Sequence, residues 1–410
     1  MRKLTYRWIS RLILLFLILG VYFPILNNNF SGRDDGWMLY NNAQVYTLDF
    51  TNVIWIFSNA YGGQFSPLNT LYYNLVYAFC GLNPFWFYLI GIFIHILNSC
   101  LLLLLLERIL VRAHVTENLK GISELNLKYI AFFTALIFAI HPMQIEAVAW
   151  ISASKILLFS FFFLAGLNFY LQYIESSKTV SLIFCFICSL LAFLSKEQSV
   201  VFPIFLIMID YFLGRNILKR KIFTEKIPFF ISSLLFGLLS IHIQNIGFHK
   251  MLEHHYYPFS QRVILACYSF NEYINKLLAP IALHKFYPFP YKVGESMPVK
   301  YWFYPVLLIF LIYYIWYWYK HKYKFVLFGL GFFFFNLILT LHIIPLGRTS
   351  IIADRYVYLS TAGFFFVPAV LIAKYYRNFS SKQKLVVKVL ICAYHLLLIA
   401  YTVRRTIDWV

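Results

Sequence analysis

Two adjacent carboxylates, Asp34 and Asp35, stand in the stretch NNNFSGRDDGWMLYNN between two long apolar runs. A carboxylate can take the proton of a hydroxyl group as that hydroxyl attacks a substrate, so the pair could supply a general base. Two neighbouring acids repel each other, which favours keeping a proton on one of them. The alternative is structural, because aspartates often form helix caps or solvated turns.

A second set of residues could hold an anion such as a leaving phosphate. Cations and hydrogen-bond donors stabilise developing negative charge, and arginine suits a forked phosphate contact. The candidates are Arg348, Arg355, Lys196 and Lys155, with His141, Glu146, Glu197 and Asp354 as supporting residues. Several alternatives remain open: Asp354 with Arg355, and Lys196 with Glu197, could form local ion pairs, and Glu146 could cap its segment or pair with Lys155.

The elements that must position these residues are membrane helices. The chain has 410 residues, of which 61% are hydrophobic and 12% are charged, a composition typical of integral membrane proteins. Apolar runs of roughly 17–25 residues can each span a bilayer. We predict an all-α protein with eleven spans at residues 8–26, 84–106, 128–146, 154–174, 179–195, 198–213, 227–245, 301–319, 323–342, 356–376 and 384–403.

The charge distribution predicts how this single domain, residues 1–410, is oriented. The net charge is +19, and most of the 35 lysines and arginines fall in short segments on the side where the chain begins. This bias indicates a cytoplasmic start under the positive-inside rule and argues against a nucleic-acid partner. The candidate acids and Arg355 then lie together at the outer ends of helices, which indicates a polar site on the outer face.

Two long segments, 27–83 and 246–300, are predicted to be outer loops. In the first, Pro67 and Gly81 bound an amphipathic helix for the membrane interface, and a second short helix is expected to follow Asp35. In the second, QRVILACYSFNEYINKLLAP is predicted to be an interfacial helix.

Cysteines and histidines point to no cofactor. Cys185 and Cys188 form a C-x-x-C motif inside an apolar helix, where a buried pair is favoured over a metal or redox site. A disulfide between Cys80 and Cys267 stays open. The stretch HKMLEHH could offer His249, Glu253 and His254 to a metal, but a solvated loop is favoured. No cofactor or metal site is therefore predicted, although use of a divalent ion stays open.

Four segments in order resemble one family: GLNPFWFYLIGIFIHILNS, AIHPMQIEAVAWISASKILLFSFFFL, LSKEQSVVFPIFLIMIDYF and ADRYVYLSTAGFFF. They look like the membrane half of the transmembrane and tetratricopeptide-repeat glycosyltransferases, which are similar to the protein O-mannosyltransferases of the GT-C class. The family's repeats are missing here. Ser66 stands where the family often has arginine, and Ser154, Lys155 and Ile156 replace its R-K-D sequence.

This resemblance implies a GT-C fold and a polyprenyl-phosphate sugar donor. It also implies transfer, with inversion, to a hydroxyl acceptor on the periplasmic or lumenal face, with Asp34 as the base by analogy and Asp35 as the alternative. The expected sugar is a hexose such as mannose, the expected acceptor is protein Ser/Thr, and the expected setting is a bacterial inner membrane. The alternatives are a lipid or glycan acceptor, the endoplasmic reticulum membrane, and a lipid or sugar transporter or flippase without catalysis.

Overall fold

Helices and the turns between them make up the described part of the chain. The computed structural model describes residues 2–32, 34–115, 119, 122–252, 257–344 and 350–409, and within these ranges no β-strand forms. The α-helices are α1 (Arg2–Tyr22), α2 (Phe50–Ser58), α3 (Pro67–Cys80), α4 (Pro84–Val115), α5 (Glu124–Ile140), α6 (Ile145–Val148), α7 (Ser154–Ser176), α8 (Thr179–Ser195), α9 (Phe202–Phe212), α10 (Arg220–Thr224), α11 (Ile227–Leu252), α12 (Phe259–Leu278), α13 (Tyr304–Lys320), α14 (Lys324–Leu337), α15 (Ser360–Tyr375) and α16 (Ser381–Ile407).

Each of the eleven predicted spans overlaps a helix: α1, α4, α5, α7, α8, α9, α11, α13, α14, α15 and α16. Length and composition single out six helical segments of the described chain that could cross a bilayer, or seven if a bent pair at 124–148 counts as one span. The six are Trp8–Asn27, Pro84–Val115, Ile151–Ser176, Arg220–Ile246, Val299–Lys320 and Ser381–Ile407. This architecture supports an integral membrane protein, whereas the number of eleven crossings stays a prediction.

The predicted span 128–146 is not one continuous helix. Helix α5 ends at Ile140, and the chain bends by 53° before the short helix α6. The cause is Pro142, which has no N–H to donate and disfavours helical backbone at the residue before it; His141 is accordingly extended, with φ −67° and ψ 134°. As a result, Glu146 lies in the short helix α6, beyond the bend that ends α5.

Helix α4 lies at the centre of the molecule, with α1, α5 and α7 packed against it. His95 of α4 is fully buried between these helices. Its Nε2 lies 3.0 Å from the carbonyl oxygen of Ala139, and its Nδ1 lies 2.6 Å from the hydroxyl of Tyr358. A carbonyl can only accept, so Nε2 carries the proton and Nδ1 accepts from Tyr358. His95 is therefore a polar contact between helices.

The helices at the periphery leave their apolar side chains exposed. In the segments that contain α11 and α13, only 6% of the residues in the most apolar stretch are buried, and in the segment of α16 only 17% are. Tyr304–Lys320, for example, has no buried residue at all. Apolar helices with so little protein contact suit a lipid environment, because there the exposed side chains meet other hydrocarbon.

Two of the three helices predicted in the segments 27–83 and 246–300 are present as α3 and α12. Helix α3 begins at Pro67 and ends before Gly81, whose φ of 65° is left-handed and is easily adopted by glycine. Its polar residues Asn69 and Asn74 face the protein and are buried, whereas Phe79 is exposed on the apolar side. Helix α12 likewise occupies the predicted interfacial stretch and buries one face. The short helix predicted after Asp35 does begin at Gly36, but only as a π-helical turn that ends at Tyr40, followed by a 3₁₀ turn at Ala43–Val45.

The cysteines carry no cross-link. All six are free, so the open disulfide alternative for Cys80 and Cys267 is not realised. Cys185 and Cys188 lie buried in α8, as expected for a pair inside an apolar helix.

A charged cluster that the sequence reading missed lies among α7, α9 and the segment before α11. Arg215 contacts Asp210 at 2.6 Å and Glu225 at 3.2 Å, while Lys226 contacts the same two carboxylates at 2.5 and 3.1 Å. Tyr170 donates to Asp210 at 2.8 Å. Two carboxylates face two cations, so the charges of the cluster balance. The cluster links α7, α9 and the segment before α11.

The orientation of the chain can be tested by labelling. We expect Ser296→Cys to react with a membrane-impermeant thiol reagent from outside, and Ser381→Cys to react only from the cytoplasm. Both positions are exposed, and the native exposed cysteine, Cys392, should be replaced first. Labelling of both positions from the same side would contradict the predicted orientation.

Candidate active site

The two adjacent acids have different environments. Asp35 is fully buried. One of its oxygens accepts from the backbone N–H and hydroxyl of Ser31 at 2.8 and 2.9 Å. The other accepts from the N–H of Ser152 at 3.1 Å and from the Ser152 hydroxyl. With four donors and no exposure, Asp35 holds the first outer loop against the turn before α7.

Asp34 is half-buried and faces a different group. Its Oδ1 accepts a hydrogen bond from the indole Nε1 of Trp37 at 3.2 Å, and the residue is partly exposed. The helix expected to follow the pair does not hold the acids, because Gly36–Tyr40 is a π-turn that the side chain of Asp35 does not cap. Of the two acids, Asp34 is the one that a substrate can reach.

Glu146, which is buried, and Arg355, which is partly exposed, form a two-point contact. The Arg355 N–H donates to Glu146 Oε2 at 2.8 Å, and the Arg355 guanidinium pairs with Oε1. The guanidinium also lies 5.0 Å from the Trp150 ring centre and 4.9 Å from that of Tyr356. Burial alone would lower the pKa of Arg355, but the Glu146 carboxylate outweighs it and raises that pKa above its usual value. The alternatives that paired Glu146 with Lys155, or Asp354 with Arg355, are therefore wrong.

Two lysines stand near this pair. Lys155, on the first turn of α7, donates to the side-chain oxygen of Gln64. Lys196 is buried, lies 3.7 Å from the Glu197 carboxylate and is 5.9 Å from the Tyr356 ring centre. The charges of Lys196, Glu197, Arg355 and Asp34 all act on the Lys155 ammonium, so the structure brings these five residues together.

Asp354 and His141 serve the scaffold instead. Asp354 accepts from the Tyr287 hydroxyl at 2.8 Å and from Arg405 at 3.2 Å, which joins the second outer loop to α16. His141 Nε2 donates to the Leu277 carbonyl at 3.1 Å, and its Nδ1 accepts from the Met143 N–H. Arg348 lies outside the described residues.

Sequence reasoning missed several residues that complete the site: Ser31 and Ser152, which hold Asp35; Trp37, which contacts Asp34; Gln64, which contacts Lys155; and Trp150, which underlies Arg355. The buried indole Nε1 of Trp150 finds no hydrogen-bond partner among the residues that the structure describes, so it could donate to a bound ligand. The contacts of Ser152, Gln64 and Trp150 join segments far apart in the chain, so no spacing pattern pointed to them; those of Ser31 and Trp37 lie within four residues of the acids.

The described side chains contain no group of three His, Cys, Asp or Glu residues that could hold a metal ion. The earlier candidate set of His249, Glu253 and His254 lies outside the described side chains. The site described above combines the partly exposed acids Asp34 and Glu197 with three cations and aromatic rings.

Asp354 predicts a pH dependence of stability. Burial, and then the nearby Glu146 carboxylate, raise the pKa of Asp354 to about 7 despite Arg405. The folded state then holds a proton that the unfolded chain releases near about pH 4, so stability falls as pH rises between about 4 and 7. We expect Asp354→Asn, which cannot ionise, to lose less thermal stability than wild type between about pH 5 and about pH 8. Parallel curves for both proteins would contradict this prediction.

Comparison with known proteins gives a partial match. No family model matches the chain. Over 147 residues the chain is 31% identical to human protein O-mannosyl-transferase TMTC1, and the matched region covers 33% of this chain and 15% of that protein. It is 31% identical over 150 residues to Drosophila melanogaster protein O-mannosyl-transferase Tmtc3, covering 33% of this chain and 16% of that protein. The mouse TMTC1 protein is 30% identical over 149 residues, covering 33% and 14%. The similarity is thus distant and spans a small share of each relative.

Proposed function

We propose that this chain is a membrane glycosyltransferase that moves a hexose from a polyprenyl-phosphate donor to a hydroxyl acceptor. The observation that carries the proposal is the grouping of Asp34 with Lys155, Lys196 and Arg355 at one end of the helix bundle. The similarity to proteins named protein O-mannosyl-transferases supports glycosyltransferase activity and makes mannose the first candidate sugar. A GT-C fold with eleven crossings belongs to the same proposal.

In the proposed reaction, Asp34 is the general base. The acceptor oxygen attacks the anomeric carbon of the sugar while its proton moves to the Asp34 carboxylate. The bond between the anomeric carbon and the phosphate oxygen breaks, and its electron pair stays on the phosphate. A single displacement of this kind inverts the anomeric centre. Asp35 acts as a positioning residue, because its four hydrogen bonds hold the turn that presents Asp34.

The phosphate is proposed to bind on the side of the cations. Lys155 has a side-chain amide as its partner and no carboxylate within 4 Å in the described structure, so its charge is available to an anion. Arg355 is already held by Glu146, which fixes the guanidinium over the Trp150 ring. Lys155 and Lys196 are therefore proposed to meet the phosphate charge, with Arg355 and the Trp150 N–H fixing its orientation.

The acceptor and the cellular setting are part of the proposal. The acceptor is a hydroxyl on the outer face, with protein Ser/Thr favoured by the names of the relatives and a glycan or lipid as the alternative. We place the site on the periplasmic side of a bacterial inner membrane, with the lumenal side of the endoplasmic reticulum as the alternative.

The proposal can be tested with purified protein in lipid nanodiscs. Mass spectrometry of co-purified lipids should find a polyprenyl-phosphate hexose, and radiolabelled donor should pass its sugar to acceptor peptides or glycans. A lipid that binds and is moved across the bilayer with no sugar transfer to any acceptor would instead indicate a flippase.

A further inference from the structure

A two-residue turn in the first outer loop carries the partner of Lys155. Tyr61 and Gln64 exchange two backbone hydrogen bonds of 3.0 and 3.1 Å, and Gly62 and Gly63 stand between them at φ of 56° and 71°. Positive φ at both central positions of a tight turn is adopted by glycine without strain. The backbone of Gln64 is therefore held in place by the turn itself.

The turn is anchored to the segment that contains the two adjacent acids. The Tyr61 hydroxyl donates to the Asn41 carbonyl at 3.1 Å. A side chain at Gly62 would collide with the Trp37 ring, so the turn lies directly against the indole that donates to Asp34 at 3.2 Å. The position of the turn is thus fixed relative to the proposed base.

Gln64 holds Lys155 by a contact that carries no countercharge. The ammonium of Lys155 donates to the side-chain oxygen of Gln64, although the two residues are 91 positions apart in the chain. The amide presents its oxygen here, because its NH₂ group and an ammonium are both donors only. An amide oxygen can orient an ammonium without neutralising it, whereas a carboxylate in the same place would form an ion pair.

The other two cations of the site each stand beside a carboxylate. Arg355 pairs with Glu146, and Lys196 lies 3.7 Å from Glu197. Lys155 is held by an amide instead. A cation that binds an anion works best when its position is fixed beforehand and its charge is not offset by a neighbouring acid. Of the three cations, Lys155 combines these two properties.

We propose that Gln64 is a positioning residue, which fixes the Lys155 ammonium in the site and leaves its charge free for the phosphate of the donor. This inference deepens the proposed function and rests on it for the identity of the anion. The contact between Gln64 and Lys155 can be tested without any sugar transfer.

The first experiment measures how firmly Lys155 is held. The protein in nanodiscs is treated by reductive methylation, and the modified lysines are quantified by peptide mass spectrometry. Gln64→Met keeps the length of the side chain but accepts only weakly, so Lys155 should react about three- to tenfold faster than in wild type, as expected for one lost hydrogen bond. Lys292, exposed in the second outer loop, is the internal control and should react equally in both proteins. An unchanged rate at Lys155 would overturn the inference.

The second experiment tests the charge. Gln64→Glu keeps the shape of the side chain and gives Lys155 a carboxylate partner, so thermal stability should stay at or above that of wild type. KM for the donor should nevertheless rise about tenfold, with KM for the acceptor unchanged, because the new ion pair offsets the charge that meets the phosphate. A purely structural role of Gln64 would not produce this split. Gln172→Glu adds the same charge at an exposed position of α7 and is the matched control.

The outcomes separate the inference from the proposed function. A wild-type donor KM in a Gln64→Glu variant that transfers sugar would overturn the role of Gln64. If the wild-type protein transfers no sugar from any polyprenyl-phosphate donor, the glycosyltransferase proposal fails. The labelling rates of Lys155 then still decide whether Gln64 positions the lysine.

Discussion

Replacing Asp34 by asparagine is expected to lower the turnover of sugar transfer by about 10²–10⁴-fold, the usual effect of removing a general base. Asparagine keeps the size of the side chain and can still accept from Trp37, which lies 3.2 Å from Asp34. It cannot take a proton from a hydroxyl. The rate should be measured at saturating donor and acceptor, and donor binding should remain near that of wild type.

Two further substitutions make this experiment specific. Asp49→Asn is the matched control, because Asp49 caps α2 by accepting from the Asn52 N–H at 2.7 Å, and asparagine caps helices equally well. Asp35→Asn should act through the fold, since one carboxylate oxygen that now accepts from two donors becomes an N–H₂ group. We therefore expect Asp35→Asn to lower thermal stability and turnover together. Wild-type turnover in both Asp34→Asn and Asp35→Asn would remove the basis of the enzyme proposal.

The second large effect concerns the pair of Glu146 and Arg355. We expect Arg355→Met to lower the free energy of unfolding by about 3–5 kcal/mol, because it leaves a buried carboxylate without its cation. Glu146 is 3% exposed, so water does not replace the lost partner. Denaturant unfolding of the protein in detergent, followed by tryptophan fluorescence, would measure the change. Arg377→Met, at an exposed position on the other side of the membrane in the proposed orientation, is the control.

A double substitution separates the structural role of this pair from its functional one. Glu146→Leu combined with Arg355→Met removes both charges, and replacing a buried pair by apolar groups is often neutral for stability. We expect the double variant to regain stability and yet to bind the phosphate-linked donor poorly, since no guanidinium is left to orient it. Donor binding equal to wild type in the stable double variant would show that Arg355 only supports the fold.

The sequence was most informative where a local pattern decides the structure. Pro67 and Gly81 bounded α3 correctly because a proline suits the first turn of a helix and a glycine suits its end. Pro142 breaks the predicted span 128–146, because a proline past the first turn cannot continue a straight helix. The short helix predicted after Asp35 is present only as a π-helical turn at Gly36–Tyr40 and a 3₁₀ turn at Ala43–Val45. Its residues are held by contacts such as Asn74 to the Val45 carbonyl at 3.1 Å, which join distant parts of the loop.

For the candidate site, the sequence identified individual residues but not the partners they contact. The residue types alone indicated Asp34, Asp35, Lys155, Lys196, Glu146 and Arg355 as polar residues at helix ends of one side. Three of their partners were not predictable, because the contacts cross a large separation in sequence. Asp35 meets Ser152, Glu146 meets Arg355, and Lys155 meets Gln64. The unequal roles proposed for Asp34 and Asp35 follow from such contacts.

The sequence by itself determined that this protein is helical, that its helices are long and apolar, and where most of them begin and end. These properties depend on composition and on spacing along a few turns, which a linear pattern records. Only the tertiary structure decided that Asp35 is fully buried while Asp34 is partly exposed, and which charges neutralise each other. Those outcomes depend on which side chains meet across the fold, and that is set by the packing of whole helices.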